Sequence, residues 1–432
     1  MSKITTKSFR VYNAKQFVNS LDPTNNRKLY LFIGRARPWD NELLPPAPIN
    51  KPDHFNTWDD IVALKRITYS DVKHVIPRVE WTPSIIPDEY DDNNAALLDT
   101  SYFYVKNSEN NVYKCISNNY GSISTQEPRG KSLNYFTTSD NYKWKYMYSI
   151  DDTDRLRFET KDYIPVNDNL DVIANAKNGS IENIKVLTLG SNYSNVANLR
   201  VSVTGNGSNA NVTPVVVGQK IAGYSINNPG INYNFANLLI SGGGGNGANA
   251  RIIISPPGGH GKDAKDELGA YRVLINTRLD FAEGDGDFPI TNDYRTIGII
   301  EDPIQTNTND LAELLTLDAT YTLNVAPLSG TFIADEFVTG SLSKANAQII
   351  SMGSGARFDI KYTQNRDTSN GHISFRVGDT ITGGSSAATA YVHAVNNPEV
   401  VKYTGKILFI ENRKKIARAA DQSENIHIVI EF

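Results

Sequence analysis

Gly190-Ser191-Asn192-Tyr193 returns forty residues later as Gly230-Ile231-Asn232-Tyr233. At the same interval Gly205-Asn206-Gly207-Ser208-Asn209-Ala210 returns as Gly245-Asn246-Gly247-Ala248-Asn249-Ala250. Short β-branched runs lie between these strings: 184–189, 199–203 and 212–217 in the first copy, and 224–226, 238–240 and 251–254 in the second. Gly and Asn tolerate positive φ, so the repeated strings read as turns between strands. One such unit buries too little apolar surface to stand alone, and two are expected to pack on each other. The stretch 175–261 therefore reads as an inserted, duplicated β module, Gly- and Asn-rich and poor in charge.

A second duplication lies downstream. Thr331-Phe332-Ile333-Ala334-Asp335-Glu336-Phe337-Val338-Thr339-Gly340 is echoed by Ser374-Phe375-Arg376-Val377-Gly378-Asp379-Thr380-Ile381-Thr382-Gly383, and a Ser/Ala-rich strand follows each, at 343–349 and 386–392. This makes 319–398 a second inserted β module. Each insert is expected to satisfy its own apolar face, with its two ends emerging close together. The remaining segments, 1–174, 262–318 and 399–432, read as a core in three parts. Within it, 11–21 has helical spacing at Ala14, Phe17, Val18 and Leu21, and Leu29-Tyr30-Leu31-Phe32-Ile33 reads as a buried strand stopped by Gly34. Thr57 with Asp60 reads as a capping box opening a helix with Trp58, Ile61, Val62 and Ile67 on its apolar face. Aromatic strands are expected at 102–105, 112–116 and 144–148. Ile407, Phe409, Ile426, Ile428 and Ile430 alternate as core residues of closing strands. The fold class is mainly β.

Composition narrows the function. Across 432 residues, 43 Lys and Arg stand against 47 Asp and Glu, a formal charge of −4. Without a positive surplus, phosphate neutralisation cannot drive binding, which excludes a basic nucleic-acid coat. Hydrophobic residues make up 40% and charged residues 21%, enough for a packed core, and the 22 Tyr and 16 Phe favour pleated surfaces. A single cysteine, Cys115, rules out a disulfide framework within the chain and any Cys-rich zinc site. The polar first ten residues do not look like a signal peptide, and the apolar runs are strand-length, so a soluble protein made in a reducing cytoplasm and without a membrane span is expected.

Chemistry-bearing residues do not assemble into a recognisable site. His54, His74, His260, His372, His393 and His427 include no two at metal-ligand spacing on one element. Glu283-Gly284-Asp285-Gly286-Asp287 resembles a cation loop but lacks the terminal bidentate Glu, and reads as an acidic turn. The glycine clusters near Gly205 and Gly242 are followed by strands rather than by a helix N-terminus, so they are turns and not phosphate cradles. Gly353-Ser354-Gly355 is not a nucleophile elbow, and Cys115 lies within an alternating strand as a small core residue. No enzyme, metal, cofactor or small-molecule substrate is expected.

Four stretches carry a family resemblance: Phe32-Ile33-Gly34-Arg35-Ala36-Arg37-Pro38-Trp39, Val75-Ile76-Pro77-Arg78-Val79-Glu80-Trp81, 144–150, and Gly405-Lys406-Ile407-Leu408-Phe409-Ile410-Glu411-Asn412-Arg413 running on through 421–428. Together with 297–303, they resemble the baseplate wedge protein family, the gene-eight product, of T-even-type contractile-tailed bacteriophages. The two inserted modules do not resemble that family's core. The resemblance implies a layered β-sandwich core with short helices, self-association as a homodimer, and wedge neighbours as partners. It also implies a place in the virion tail baseplate after assembly in the host cytoplasm, and a part in transmitting the sheath-contraction signal. It carries no catalytic residue.

Broad protein interfaces favour aromatic and Arg anchors, so Arg35, Arg37, Trp39, Arg78, Trp81 and Arg413 are candidate interface or structural motif residues. The competing reading gives those Trp side chains to the core and those Arg side chains to internal ion pairs. A carbohydrate-binding or carbohydrate-active tail protein is the alternative function, because repeated modules with Tyr and Asn can stack on and hydrogen-bond to sugars. A calcium-repeat protein would need Asp at a nine-residue period, and there is none between Asp171 and Asp263.

Overall fold

The strand Leu29–Gly34 is buried at every position, as a continuous apolar run paired on both sides should be. It pairs antiparallel with Ile61–Ile67 and with Tyr294–Glu301. The sheet extends to Thr316–Asp318 on one side and to Lys406–Ile416 on the other. The computed structural model describes residues 6–48, 55–93, 102–280, 293–364, 372–418 and 422–432. The acidic loop 283–287 and His54 lie outside the described residues. The chain forms two compact units: the first comprises Met1–Gln16, Lys73–Leu274 and Val429–Phe432, the second Phe17–Val72 and Ile275–Ile428. Both are mainly β, with short helices.

The helix expected from Thr57 ends early. Helix Phe55–Asp60 contains Thr57 in its interior, and Ile61–Ile67 is a strand. Trp58, Ile61 and Val62 fit helical spacing over only a few positions. From Ile61 onward, ladders on both edges satisfy a β-branched backbone better than a helix would. The reciprocal cap lies further on, where the Thr68 N–H donates to Asp71 at 2.8 Å. The first helix is longer than its periodic stretch, Lys7–Ser20, with Val11, Ala14 and Val18 buried. The closing strands are less buried than their alternation indicates. Ile428 is buried, Ile407, Ile426 and Ile430 are half-buried, and Phe409 is exposed, because Lys406–Ile416 and Ser423–Glu431 are each the edge strand of a sheet.

In the first unit the aromatic strands Tyr104–Lys106, Asn111–Ser117, Lys143–Ser149 and Phe136–Thr137 form one sheet. Val105, Tyr113, Cys115, Tyr142, Trp144 and Tyr146 cluster on one side. Phe103, Tyr104, Val112, Met147 and Tyr148 pack with Ile164, Ile253 and Leu268 on the other. The repeat module occupies strands Ile181–Ser191 to Asn246–Ile254, paired outermost to outermost, with Ser208–Val217 on Lys220–Ile231 and Arg200–Gly205 on Ala236–Ser241. The two copies lock reciprocally. Tyr233 of the second copy rests on Gly207 of the first, and Tyr193 of the first on Gly245 of the second, where any Cβ would overlap the ring. The module's ends meet, with the Ser255 N–H donating to Ser180 O at 2.9 Å and the Ser180 N–H to Ser255 Oγ at 3.0 Å.

In the second unit the other duplication forms a closed six-stranded barrel: Tyr321–Ser329, Phe358–Thr363, Asn346–Met352, Phe337–Gly340, Thr380–Gly383 and Thr389–Asn396 in spatial order. Its core is its own, from Leu323, Val325 and Val338 to Ile381 and Val392. Here too each copy closes the other. Glu336 accepts from the Ser385 and Ser386 N–H groups at 3.1 and 2.9 Å. The matching Asp379 accepts from the Leu342 and Ser343 N–H groups at 2.6 and 3.0 Å. Burial pushes both carboxyls up, but hydrogen bonds overcome it: the Ile333 N–H, then the Ser386 and Ser385 donors, hold Glu336 below its ordinary range, and the Ser343 hydroxyl with the Arg376, Ser343 and Leu342 N–H groups hold Asp379 below its own. The barrel's ends also meet, with the Glu399 N–H donating to Asp318 O at 2.9 Å and the Asp318 N–H to Glu399 Oε2 at 2.8 Å.

A buried charge pair ties the first unit together. Lys114, fully buried on the strand Asn111–Ser117, donates to Glu267 Oε2 at 2.9 Å and lies 4.0 Å from the Tyr90 ring centre. Glu267, on the short helix Ala264–Leu268, also accepts from the Gly261 N–H at 2.6 Å. Burial alone would raise its carboxyl, but the Lys114 charge and the neighbouring His260 hold it at about 2. Burial first, then the Lys114 charge, lowers His260 to about 3, and burial lowers His74 to about 4.

Glu267→Gln strands the Lys114 charge and should destabilise the chain by roughly 3–5 kcal/mol, read as a lower urea midpoint. His260, His74 and Glu267 all bind protons more readily in the unfolded chain, where their ordinary values are 6.5, 6.5 and 4.5. Stability should therefore fall as pH drops from about 6.5 to about 2; a flat urea midpoint across that window would contradict the assignment. Asp379→Ala leaves the part-buried Leu342, Ser343 and Arg376 N–H groups without their acceptor and should cost on the order of 1–3 kcal/mol. Amide exchange should speed up in the barrel strands before it does in Leu29–Gly34.

Candidate functional site

Four of the six candidate residues converge in the second unit. After Gly34 the chain turns through Arg35 at φ 58°, with the Arg35 N–H bonded to Asp60 O at 2.8 Å. The Arg35 guanidinium then lies 3.7 Å from the Trp39 ring centre, the planar stacking for which Arg is suited. Asp60 receives Arg35 Nη1 and Arg37 Nη2, each at 3.3 Å. Burial pushes the Asp60 carboxyl up against the pull of Arg37 and Arg35. The Trp39 indole N–H donates to Arg413 O at 2.8 Å, and the Asn412 side-chain amide donates to Pro46 O at 3.0 Å. Arg295 pairs with Glu42 at 2.6 Å and donates to Ala36 O.

This clasp straps 35–46 across the strands Tyr294–Glu301 and Lys406–Ile416. Many of its polar groups are used inside the chain, Arg35 and Arg37 on Asp60, Arg295 on Glu42 and the Trp39 N–H on Arg413 O. Trp39 does more than fill space: its N–H takes up a main-chain carbonyl on an edge strand, which would otherwise be open to another strand. Of the four, only the Arg413 guanidinium points clearly into solvent, where it meets Glu411 at 2.9 Å.

Arg78 and Trp81 belong to the first unit. Arg78 bridges Glu80 at 2.6 Å, Glu159 at 3.1 Å and Thr160 O at 3.1 Å. The Glu159 carboxylate also takes Lys106 at 2.8 Å. Trp81 packs against the Val105–Tyr113–Trp144 cluster and donates its indole N–H to Ser124 Oγ at 3.1 Å. Trp81 therefore serves as a platform beneath the 118–126 loop.

Sequence reasoning missed a polar cluster in the second unit. Tyr403, itself at φ 67°, donates its hydroxyl to Asp59, and His372 Nε2 lies 2.7 Å from that hydroxyl and 3.1 Å from Asp59 Oδ1. Lys402 is buried beside them and donates to Trp58 O at 3.1 Å. Burial lowers it to about 8 against the opposing charges of Asp59, Asp60 and Asp318. Over three hundred residues separate Asp59 from Tyr403, so no local spacing could reveal them. The Lys114–Glu267 pair is hidden for the same reason, although a Lys within an aromatic strand was a signal that something must neutralise it.

Among the described residues no group of three His, Cys, Asp or Glu side chains gathers as a metal site. No helix there is long and apolar enough to cross a membrane. The Cys115 thiol is buried, and burial pushes its pKa well up.

No family model matches the chain. It is similar to the baseplate wedge protein gp8 of Enterobacteria phage T4, 23% identical over 201 residues, a match that covers 38% of this chain and 60% of that protein. The chain thus spans about three fifths of the length of the relative it matches, and the likeness is distant and partial.

Proposed function

We propose that the chain is a structural subunit of a phage tail baseplate wedge, offering protein interfaces for assembly and for passing on the sheath-contraction signal. The observation that carries this reading is the likeness to the T4 wedge protein. The partners are other wedge proteins and, by self-association, a second copy. The location is the virion tail after assembly in the host cytoplasm. The role needs no catalysis, cofactor or small-molecule substrate. Arg35, Arg37, Lys114, Glu267, Glu336 and Asp379 are spent on internal locks in the clasp, the buried pair and the barrel. Such locks suit a subunit whose task is to hold a shape.

The glycan-binding alternative drew on the repeat tyrosines. Tyr193 and Tyr233 are buried against glycines inside their module, so they offer no face to a sugar.

Antibody-labelled electron microscopy of virions should place the chain at the baseplate, and the purified chain should co-sediment with tail precursors. Label elsewhere on the particle, or retention on a glycan column without precursor binding, would count against the wedge role.

A further inference from the structure

Residues 118–124 of the first unit make a turn whose backbone is costly for its sequence. Asn119, Tyr120 and Gly121 take φ of 50°, 59° and 77° in succession, a region that glycine enters freely and a bulky aromatic does not. The turn is held in place from several sides. The Gly121 N–H donates to Asn118 Oδ1 at 2.9 Å, and the Asn119 side-chain amide to Asp140 O at 3.2 Å. The Tyr142 hydroxyl donates to Ser122 O, and the Trp81 indole N–H to Ser124 Oγ. The Asp140 carboxylate collects the Ser124 hydroxyl at 3.0 Å and the Thr125 and Gln126 N–H groups at 2.8 and 3.0 Å.

All this order ends in a side chain directed away from the fold: Tyr120 is 74% exposed. It has apolar company. The Asn118 side-chain amide donates to Pro87 O at 3.2 Å and the Ser124 N–H to Ile85 O at 2.9 Å, so Ile86 runs beside the turn. Ile85 and Ser124 face inward, while Ile86 and Ile123 are 51% and 52% exposed. The polar setting of the patch is acidic. Asp88 and Glu89 follow directly on Pro87; Glu89 accepts from the Asn118 N–H at 3.4 Å and is paired with Lys185 at 2.8 Å, which leaves Asp88 as the acidic group beside the patch. A glycine at 120 would take this backbone without strain. Contacts within the chain therefore give no reason for a tyrosine, whereas a rigid, amphipathic, pre-ordered aromatic is the kind of group that anchors an interface.

We propose that Tyr120, flanked by Ile86 and Ile123, is a preorganised knob that seats in an apolar socket of a neighbouring wedge protein, with Lys or Arg on the socket's rim facing Asp88. This rests on the wedge reading and names the surface that reading would use.

The test adds wild type, Tyr120→Gly and Asp88→Lys to purified wedge intermediates assembled without this chain, and measures joining by sedimentation. Tyr120→Gly should weaken joining about thirtyfold or more, the loss of one interface hot spot, while its melting temperature stays level or rises as the strain is relieved. Asp88→Lys should weaken joining most at low salt. Wild-type joining by Tyr120→Gly, or a melting temperature that falls together with joining, would overturn the knob. Unchanged joining by Asp88→Lys would overturn the basic rim. If Tyr120→Gly instead dissolves a self-associated species and still joins wedges, the socket belongs to a second copy and the proposal of a different partner fails. If wild type itself does not join, the wedge reading fails and the knob falls with it.

Discussion

A segment interrupts a β framework at least cost where its two ends lie close together, because the strands it separates can then stay in register. Both inserts obey this constraint with a pair of hydrogen bonds, one main chain to main chain and one main chain to side chain, Ser180 with Ser255 and Asp318 with Glu399. The sheet around Leu29–Gly34 needs Thr316–Asp318 on one side and Lys406–Ile416 on the other, although the barrel separates these two in sequence. The aromatic sheet of the first unit likewise precedes the repeat module, while Glu267, the counter-charge it buries, follows that module. Closed ends keep the frame indifferent to what lies between.

Duplication meets the second requirement, that each insert bury its own apolar face. In both modules the copies are joined by exchange rather than by simple stacking. Each Tyr of the first module rests on the other copy's glycine, and each carboxylate of the barrel caps the other copy's turn. Neither half can close without its partner, so cooperativity is built into the pairing. Independence is not complete in the first module: Ile253 joins the first unit's core, and Arg251 reaches Asp91 and Asp92.

The repeats, the turn glycines and the aromatic strands were legible because each is a local pattern of period two punctuated by residues that tolerate positive φ. The strand at 61–67 was not, because its first apolar residues fit a helix and only pairing on both edges decides against one. The weak burial of Phe409 was also invisible, since alternation does not say whether a strand lies inside a sheet or at its edge. Among the candidate residues, type alone placed Arg35, Arg37, Trp39 and Arg413 on one list; geometry groups them around Asp60 and one edge strand. Tyr120 escaped notice because nothing in Asn119-Tyr120-Gly121 announces a left-handed tyrosine.

Strain and locking bear on function from opposite sides. In the proposed structural role a subunit has to keep its own geometry, and buried, paired polar groups are a means of specifying one geometry among the alternatives a greasy core would permit. The Lys114–Glu267 pair has that character: it would leave an unpaired charge if the packing shifted. Surface contacts between subunits face the reverse demand, since they must form and release. The Trp81 platform joins the two demands within one unit. Its ring is part of the packed aromatic cluster, and its N–H steadies the loop that holds Tyr120 out. Rigidity below the loop thus lowers the ordering cost of any contact made above it, which is how an interior hydrogen bond can govern a surface it does not touch.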